Sequence, residues 1–289
     1  MKLALGTAQF GMEYGIANKN GKVSFDEAGT IITLGRLAGI DTLDTAMAYG
    51  DSEESLGKLS TEDFHVITKL PSFGSTSKNL QEMVRDQVVN SLAKLKQVKL
   101  SGLLLHRPDE LLSDVGAEIW LALNAVKEEG LVELIGYSIY SPDELDSIYS
   151  NYKPDIVQAP YSIIDRRLCS SGWMDQLHSD GVEIHVRSIF LQGLLLMEAA
   201  SRPTNFDEWS HLWSSWENWL DNSNLSKLEG ALQFVLSNPK ITKIVVGVDS
   251  TVQLEEIIRA TESGVTAVPP PELYSDCVRL INPANWRSL

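Results

Sequence analysis

Asp44, Tyr49, Lys69 and His106 differ in chemical type and fall at, or a few positions beyond, the ends of successive short apolar runs. Together they fit one chemical problem. A tyrosine hydroxyl of ordinary pKa, about 10, is a reluctant acid or base at neutral pH, and a nearby ammonium lowers that value by favouring the phenolate. Lys69 supplies such a charge, Asp44 would hold the lysine protonated and in place, and His106 would orient a carbonyl oxygen against the Tyr49 hydroxyl. The set suits proton donation to a carbonyl oxygen. It carries no electrons, so reduction needs a hydride donor beside it, which in practice is a nicotinamide cofactor. Each residue alone has an ordinary structural explanation: a helix cap for Asp44, packing for Tyr49, a solvated strand end for Lys69, a satisfied core histidine for His106. Four different polar types at consecutive run ends argue for a site.

Positioning these groups falls to the elements around them. Eight runs rich in Val, Ile and Leu recur along the chain, at 3–7, 42–45, 65–69, 102–106, 134–138, 156–159, 183–187 and 243–247. Stretches such as Leu103-Leu104-Leu105 and Ile244-Val245-Val246 are apolar without alternation, as parallel strands buried on both faces are. Helical patterns lie between them. Ser24 and Ser141 are candidate N-caps with a Glu three residues on, the second with Pro142 at the first helical position, and Gly39, Gly130 and Gly181 close helices before strands. Eight alternations with no Pro/Gly/Ser-rich seam predict an α/β fold, a (β/α)8 TIM barrel, with 1–289 as a single domain. A doubly wound open sheet is the alternative, but no G-x-G-x-x-G follows the first run.

Such barrels take about 250 residues. The surplus falls in an extended loop and helix at about 191–224 and a tail at about 268–289. In the first of these, Trp209, Trp213, Trp216 and Trp219 share one helical face, either packed on the barrel or offered to a partner subunit or substrate. A barrel builds its site at the C-terminal ends of its strands, which adds Ser138, Gln158, Arg187 and Ser188 to the first four residues.

A net charge of -15, with 24 Lys+Arg against 39 Asp+Glu and no cationic cluster, argues against nucleic acid as a partner. Cys169 and Cys277 support neither a disulfide framework nor a Cys-based metal site, and no metal is expected. The N-terminal stretch lacks a signal-peptide core, and the longest uncharged apolar stretch falls far short of the roughly 20 residues of a membrane span. The expectation is a cytoplasmic protein without a membrane partner, a monomer or small homo-oligomer.

In order and context these residues resemble the aldo-keto reductase superfamily, in a bacterial-type form. The resemblance is carried by Gly6-Thr7, Asp44-Thr45-Ala46 followed by Tyr49-Gly50, the pair Glu53 and Gly57, Thr68-Lys69, Leu103-Leu104-Leu105-His106, Gly136-Tyr137-Ser138 and Gln158. It continues in Ile244-Val245-Val246-Gly247 with Leu254-Glu255-Glu256 behind, and covers nearly the whole chain. It implies that Asp44, Tyr49, Lys69 and His106 form a catalytic tetrad, with Tyr49 the proton donor and both Tyr49 and His106 touching substrate. It implies NADP or NAD as cofactor, bound with help from Gly6, Thr7 and Asp44. Ser138 and Gln158 would meet the nicotinamide carboxamide. Ser188, Leu191 and Gly193 would lie along the pyrophosphate, where small residues and backbone N–H groups suit an anion. Gly247, Asp249 and Gln253 would follow the last strand to the cofactor, and Trp286 would wall the substrate pocket or anchor the tail on the rim.

Three positions depart from the family pattern. Ile139 stands where an Asn usually follows the strand-five serine, removing one carboxamide hydrogen bond. Arg187 stands where many members stack an aromatic ring on the nicotinamide; it is expected near the cofactor or an anionic substrate. No Lys or Arg lies between Gly247 and Gln253 to pair with a 2′-phosphate, and Asp249 would repel one. Asp249 either accepts hydrogen bonds from ribose hydroxyls or caps the following helix. A weaker NADP preference than is usual for the family follows from the first alternative.

The resulting expectation is an NAD(P)H-dependent oxidoreductase that reversibly reduces an aldehyde, ketone or sugar carbonyl. The stretch 186–194 resembles that of bacterial reductases associated with polysaccharide sugar metabolism, which points toward sugars. Two alternatives remain: a cofactor-binding regulatory or assembly subunit, and a lyase using Lys69 as a Schiff-base nucleophile. Asp44 argues against the second, because a carboxylate neighbour keeps the lysine protonated.

Overall fold

The computed structural model describes residues 1–18, 20–73, 79–264 and 267–288, so position 289 of the expected tail lies outside the described residues. All eight apolar runs are strands: β1 (Leu3–Gly6), β2 (Thr42–Asp44), β3 (His65–Leu70), β4 (Leu100–Leu105), β5 (Val132–Ser138), β6 (Ile156–Pro160), β7 (Glu183–Arg187) and β8 (Lys243–Gly247). Each pairs in parallel with the next. β8 returns to β1, from Leu3 opposite Ile244 to Gly6 opposite Gly247, and closes the barrel. Closure leaves no sheet edge open. The fold is the expected (β/α)8 barrel.

The helices are α1 (Ala8–Gly11), α2 (Phe25–Leu37), α3 (Ser52–Lys58), α4 (Leu80–Leu95), α5 (Gly116–Glu128) and α6 (Asp143–Ile148). They continue with α7 (Arg167–Ser170), α8 (Trp173–Ser179), α9 (Ser210–Ser223), α10 (Lys227–Leu236), α11 (Thr251–Thr261) and α12 (Val278–Ile281). Ser24 caps α2 by accepting from the Glu27 N–H at 3.3 Å. The cap of α6 differs from expectation: Glu144 Oε1 takes the N–H groups of Tyr140 and Ser141, at 2.6 and 2.7 Å, while the Ser141 hydroxyl turns to Asp143. Gly39, Gly130 and Gly181 all hold positive φ at helix ends, as a left-handed closing residue requires.

Side chains alternate along each strand and sort into two apolar clusters. One set, including Leu3, Leu5, Leu43, Val66, Leu103, Leu105, Val157 and Ile184, packs outward with the helices. The other is small and made only of strand residues, Ile67, Leu104 and Ile156 with Leu134 beside them, and plugs the barrel interior. Two residues further along the same faces come Lys69 after Ile67 and Gln158 after Ile156, with Ser138 four beyond Leu134. The interior is thus an apolar floor under a polar layer. Gly136 belongs to this arrangement: a Cβ there would stand 1.8 Å from the Ile156 carbonyl oxygen of the adjacent strand.

The extension at 191–224 folds as short 3₁₀ turns leading into α9. Its four indoles are covered rather than offered to a partner: Trp209, Trp213, Trp216 and Trp219 are 6%, 4%, 0% and 8% exposed. Indole N–H groups of Trp213, Trp216 and Trp219 donate to the carbonyls of Phe206, Leu195 and Val268. Among the described residues no helix is long and apolar enough to cross a membrane. Trp216→Ala would open a cavity and orphan the Leu195 carbonyl. The expected loss in unfolding free energy is about 3–5 kcal/mol by urea denaturation followed by circular dichroism; a curve superimposing on wild type would refute the packing role.

Candidate functional site

Lys69 occupies the centre of the polar layer. Its Nζ donates to Asp44 Oδ1 at 2.6 Å and Oδ2 at 2.8 Å and to the Thr45 carbonyl at 2.8 Å, and the side chain is 1% exposed. Asp44 is held from the other side by Gln158 Nε2 at 2.7 Å, and Gln158 Oε1 accepts from Ser138 Oγ at 3.3 Å. Burial pulls the Lys69 ammonium pKa down while Asp44 works against that pull. All three ammonium donors are engaged. Buried under Asp44 and absent from the lining of the cleft, Lys69 has little access to a substrate carbonyl, which disfavours a Schiff-base role.

Tyr49 is delivered by the turn after β2. Its N–H donates to the Ala46 carbonyl at 3.0 Å, and the following Gly50 holds positive φ. That turn lies directly on α1: a Cβ on Gly11 would stand 1.8 Å from the Tyr49 carbonyl oxygen. His106 follows β4, its N–H on the Leu70 carbonyl at 3.2 Å. The Tyr49 and His106 rings meet edge to face at 5.8 Å, and Lys69 Nζ lies 5.3 Å from the Tyr49 ring centroid.

The electrostatics correct one expectation. Tyr49 is not tuned downward: burial pushes its pKa well above the ordinary tyrosine value, the Asp44 carboxylate adds to the rise, and only the Arg187 charge pulls the other way. The Lys69 charge is neutralised by Asp44 and faces the ring. Tyr49 is therefore protonated at neutral pH, the state from which it can donate, and Arg187 is the charge that eases release of that proton.

A cleft of about 360 Å³ opens beside Tyr49 and Asp44. Of the residues expected to bind a cofactor, Gly6, Thr7, Asp44, Arg187, Ser188, Gly193, Gly247, Asp249 and Gln253 line it. Others are placed differently. Ser138 and Gln158 are buried and bonded toward Asp44. Leu191 is 1% exposed, its side chain in the core. The N–H groups of Leu191 and Gly193 donate to the Ser188 and Phe190 carbonyls, at 2.9 and 3.0 Å, so these two are not free for a pyrophosphate. Trp286 does not line the cleft; it packs on Phe206 at 5.1 Å and donates to the Leu280 carbonyl at 2.9 Å, anchoring the tail.

The cleft suits a dinucleotide in two respects. Its walls approach so closely that side chains are excluded: a Cβ on Gly247 would stand 2.6 Å from Gln9 Nε2, and one on Gly193 2.4 Å from Ala17 Cβ. An acceptor in its lining at the β8 end, Asp249 Oδ1, is also buried without a partner. The cap of α11 is Ser250, whose Oγ accepts from Gln253 N at 3.3 Å, so Asp249 is not spent on capping. Burial raises the Asp249 pKa. Among the described residues no cluster of His, Cys, Asp or Glu could hold a metal ion.

Residues of the connection after β1 were missed by sequence reasoning. Gln9, Tyr14, Ala17 and Asn18 line the cleft. Tyr14 Oη accepts from Gln192 Nε2 at 3.3 Å, and the Ala17 N–H reaches the Gln192 carbonyl at 3.4 Å across the opening. The strand-end rule that gave Asp44 and His106 also covers this first connection; its composition alone offered no motif.

His106 is pulled down to about 4, first by burial, then by the Lys69 and Arg187 charges. It is neutral at pH 7. Its unfolded value of about 6.5 lies higher, so on acidification the unfolded chain binds the proton first, and stability falls as pH drops from about 6.5 to about 4. His106→Asn should flatten that part of the stability profile. The His106 ring protons should titrate near 4 by NMR; titration near 6.5 would mean a solvated ring.

Comparison with known proteins identifies the family. The profile of the Aldo/keto reductase family matches residues 2–267. L-galactose dehydrogenase of Arabidopsis thaliana is 25% identical over 288 residues, covering 91% of this chain and 86% of that one. NADH-specific methylglyoxal reductase of Escherichia coli is 30% identical over 179 residues, 54% of each chain. Among solved structures, an aldo-keto reductase from Bacillus halodurans superposes with a TM-score of 0.73 at 22% identity, over 92% of this chain and 88% of that one. The chain belongs to the Aldo/keto reductase family of NAD(P)-dependent oxidoreductases.

Proposed function

We propose that this protein reduces an aldehyde, ketone or sugar carbonyl to the alcohol, with Tyr49 as proton donor and the same groups serving the reverse oxidation. The observation that carries this reading is a Tyr49 that lines the cleft with its ring edge to face with that of His106 and with Lys69 Nζ 5.3 Å from its ring centroid. A bound nicotinamide would supply the hydride. The residues of the chain do the rest. His106 holds the carbonyl oxygen against the Tyr49 hydroxyl, Tyr49 gives its proton as charge develops on that oxygen, and Lys69 with Asp44 keeps a fixed dipole under the phenol ring.

Gly6, Thr7, Ser188, Gly247, Asp249 and Gln253 are proposed to hold the cofactor, with Gly193 allowing close approach by its lack of a side chain and Asp249 Oδ1 accepting from a ribose hydroxyl. A carboxylate there disfavours a 2′-phosphate, so NADH is the proposed preference. The name of the Escherichia coli relative, an NADH-specific enzyme, supports that direction. The name of the plant relative, an L-galactose dehydrogenase, supports a sugar-like substrate. The regulatory-subunit alternative loses its proposed docking surface, since the indole rings are buried. A cytoplasmic monomer or small homo-oligomer remains the proposed setting.

Tyr49→Phe should reduce turnover by about 10²–10⁴ in single-turnover NADH oxidation while NADH still binds by fluorescence titration; near wild-type turnover would overturn the proton-donor role. In the same titration NADH should bind at least as tightly as NADPH, and Asp249→Ala should narrow the difference. A preference of about a hundredfold for NADPH would sink the proposed role of Asp249.

A further inference from the structure

Arg187 is a cation at the cleft that the chemistry above does not use. It ends β7, lines the same cleft as Tyr49, and its charge reaches Tyr49, Lys69 and His106. Two hydrogen bonds and a stacked ring fix its plane. Nη2 donates to the Ile139 carbonyl at 2.9 Å, Nη1 to Ser188 Oγ at 3.3 Å, and Cζ lies 4.6 Å from the Tyr140 ring centroid. A guanidinium has five N–H donors, so this one keeps donors in reserve.

Among the described residues no carboxylate lies within ion-pair distance of Arg187. Glu144, whose carboxyl feels the Arg187 charge, spends Oε1 on the N–H groups of Tyr140 and Ser141. In a chain of net charge -15, a half-buried and pre-oriented arginine left without a counter-ion is conspicuous. Stacking under an oxidised nicotinamide would set cation against cation, whereas a planar fork fits a carboxylate in two-point contact.

We propose that Arg187 receives a carboxylate of the substrate, so that the carbonyl compounds taken by this site are acid-bearing: aldehydo acids, keto acids or uronic-type sugars. This rests on the carbonyl reduction proposed above and names its substrate class. The remaining N–H groups of the guanidinium grip the carboxylate, and Tyr140 behind and Ile139 beside it hold the fork still. The distance from Arg187 to the tyrosine then selects chain length, and a neutral carbonyl of equal size loses the contact.

The test compares matched pairs, succinic semialdehyde against butanal and D-glucuronate against D-glucose, in wild type, Arg187→Met and Arg187→Lys. Wild type should favour the acid of each pair by about tenfold to a hundredfold in kcat/KM, the range for hydrogen bonds to a charged group. Arg187→Met should bring the ratio close to unity, and Arg187→Lys should restore part of it. Equal use of acid and neutral partner by wild type, or an unchanged ratio in Arg187→Met, overturns the proposal. So does an Arg187→Met variant whose only change is weaker NADH binding, which would put the guanidinium on the cofactor.

Calorimetric binding of 4-hydroxybutyrate and 1-butanol separates this inference from the reduction itself. Tighter binding of the acid that disappears in Arg187→Met, without turnover of any carbonyl, would leave the anion site standing and sink the reductase reading. Equal binding of the two would sink the anion site whatever the turnover.

Discussion

Lys69 and Asp44 are two opposite charges buried in the barrel, and taking each out of water costs several kcal/mol. That cost is offset only if the partners are complete. Lys69 finds three acceptors, and Asp44 accepts from both Lys69 and Gln158. These groups come from β2, β3 and β6, with Ser138 of β5 behind. The strands must therefore be parallel, closed and in one register. A slip of one residue would turn Lys69 outward into the helix layer and bring Thr68 inward. The apolar floor of Ile67, Leu104 and Ile156 keeps water from reaching the pair from below. Tyr49 and His106 stand on this platform, and the high proton affinity of the first and low affinity of the second follow from its dryness and charge.

Much of the barrel was legible because parallel strands buried on both faces leave near-continuous apolar runs, and their ends differ from the structure by at most two residues. Site residues at strand ends were legible for the same reason: Asp44, Lys69 and His106 interrupt or end such runs. What a polar side chain bonds to was not. Ser138 and Gln158 read as nicotinamide contacts; in the fold Gln158 also donates to Asp44, more than a hundred positions distant, and Ser138 donates to Gln158, pairings that no local pattern announces. The effect of Lys69 on Tyr49 was read from proximity alone. How strong that effect is depends on how far the ammonium is already neutralised, which only the three-dimensional pairing decides.

The extension after β7 and the tail follow a second logic. Four indoles spaced along a helix describe a face but not what covers it; the cover comes from Leu195, Phe206 and Val268, which lie before and after the helix in the chain. Trp286 joins this cluster through Phe206 rather than the substrate cleft. The bulk added to the barrel is thus spent mostly on holding the loop after β7 in shape. Arg187 and Ser188 at the root of that loop inherit the rigidity.

Gly6 and Gly247 face one another across the pairing of β1 with β8, and both line the cleft. The cleft therefore straddles the seam where the first and last strands meet. That pairing has the largest sequence separation among the strand pairs and the greatest loop-closure entropy, so half of the cleft cannot exist until the last strand is in place. A molecule bound there clasps the first strand to the last, and its binding energy adds directly to the stability of the closed barrel. In a cell, the supply of that molecule would influence how long the folded protein persists as well as how fast it works.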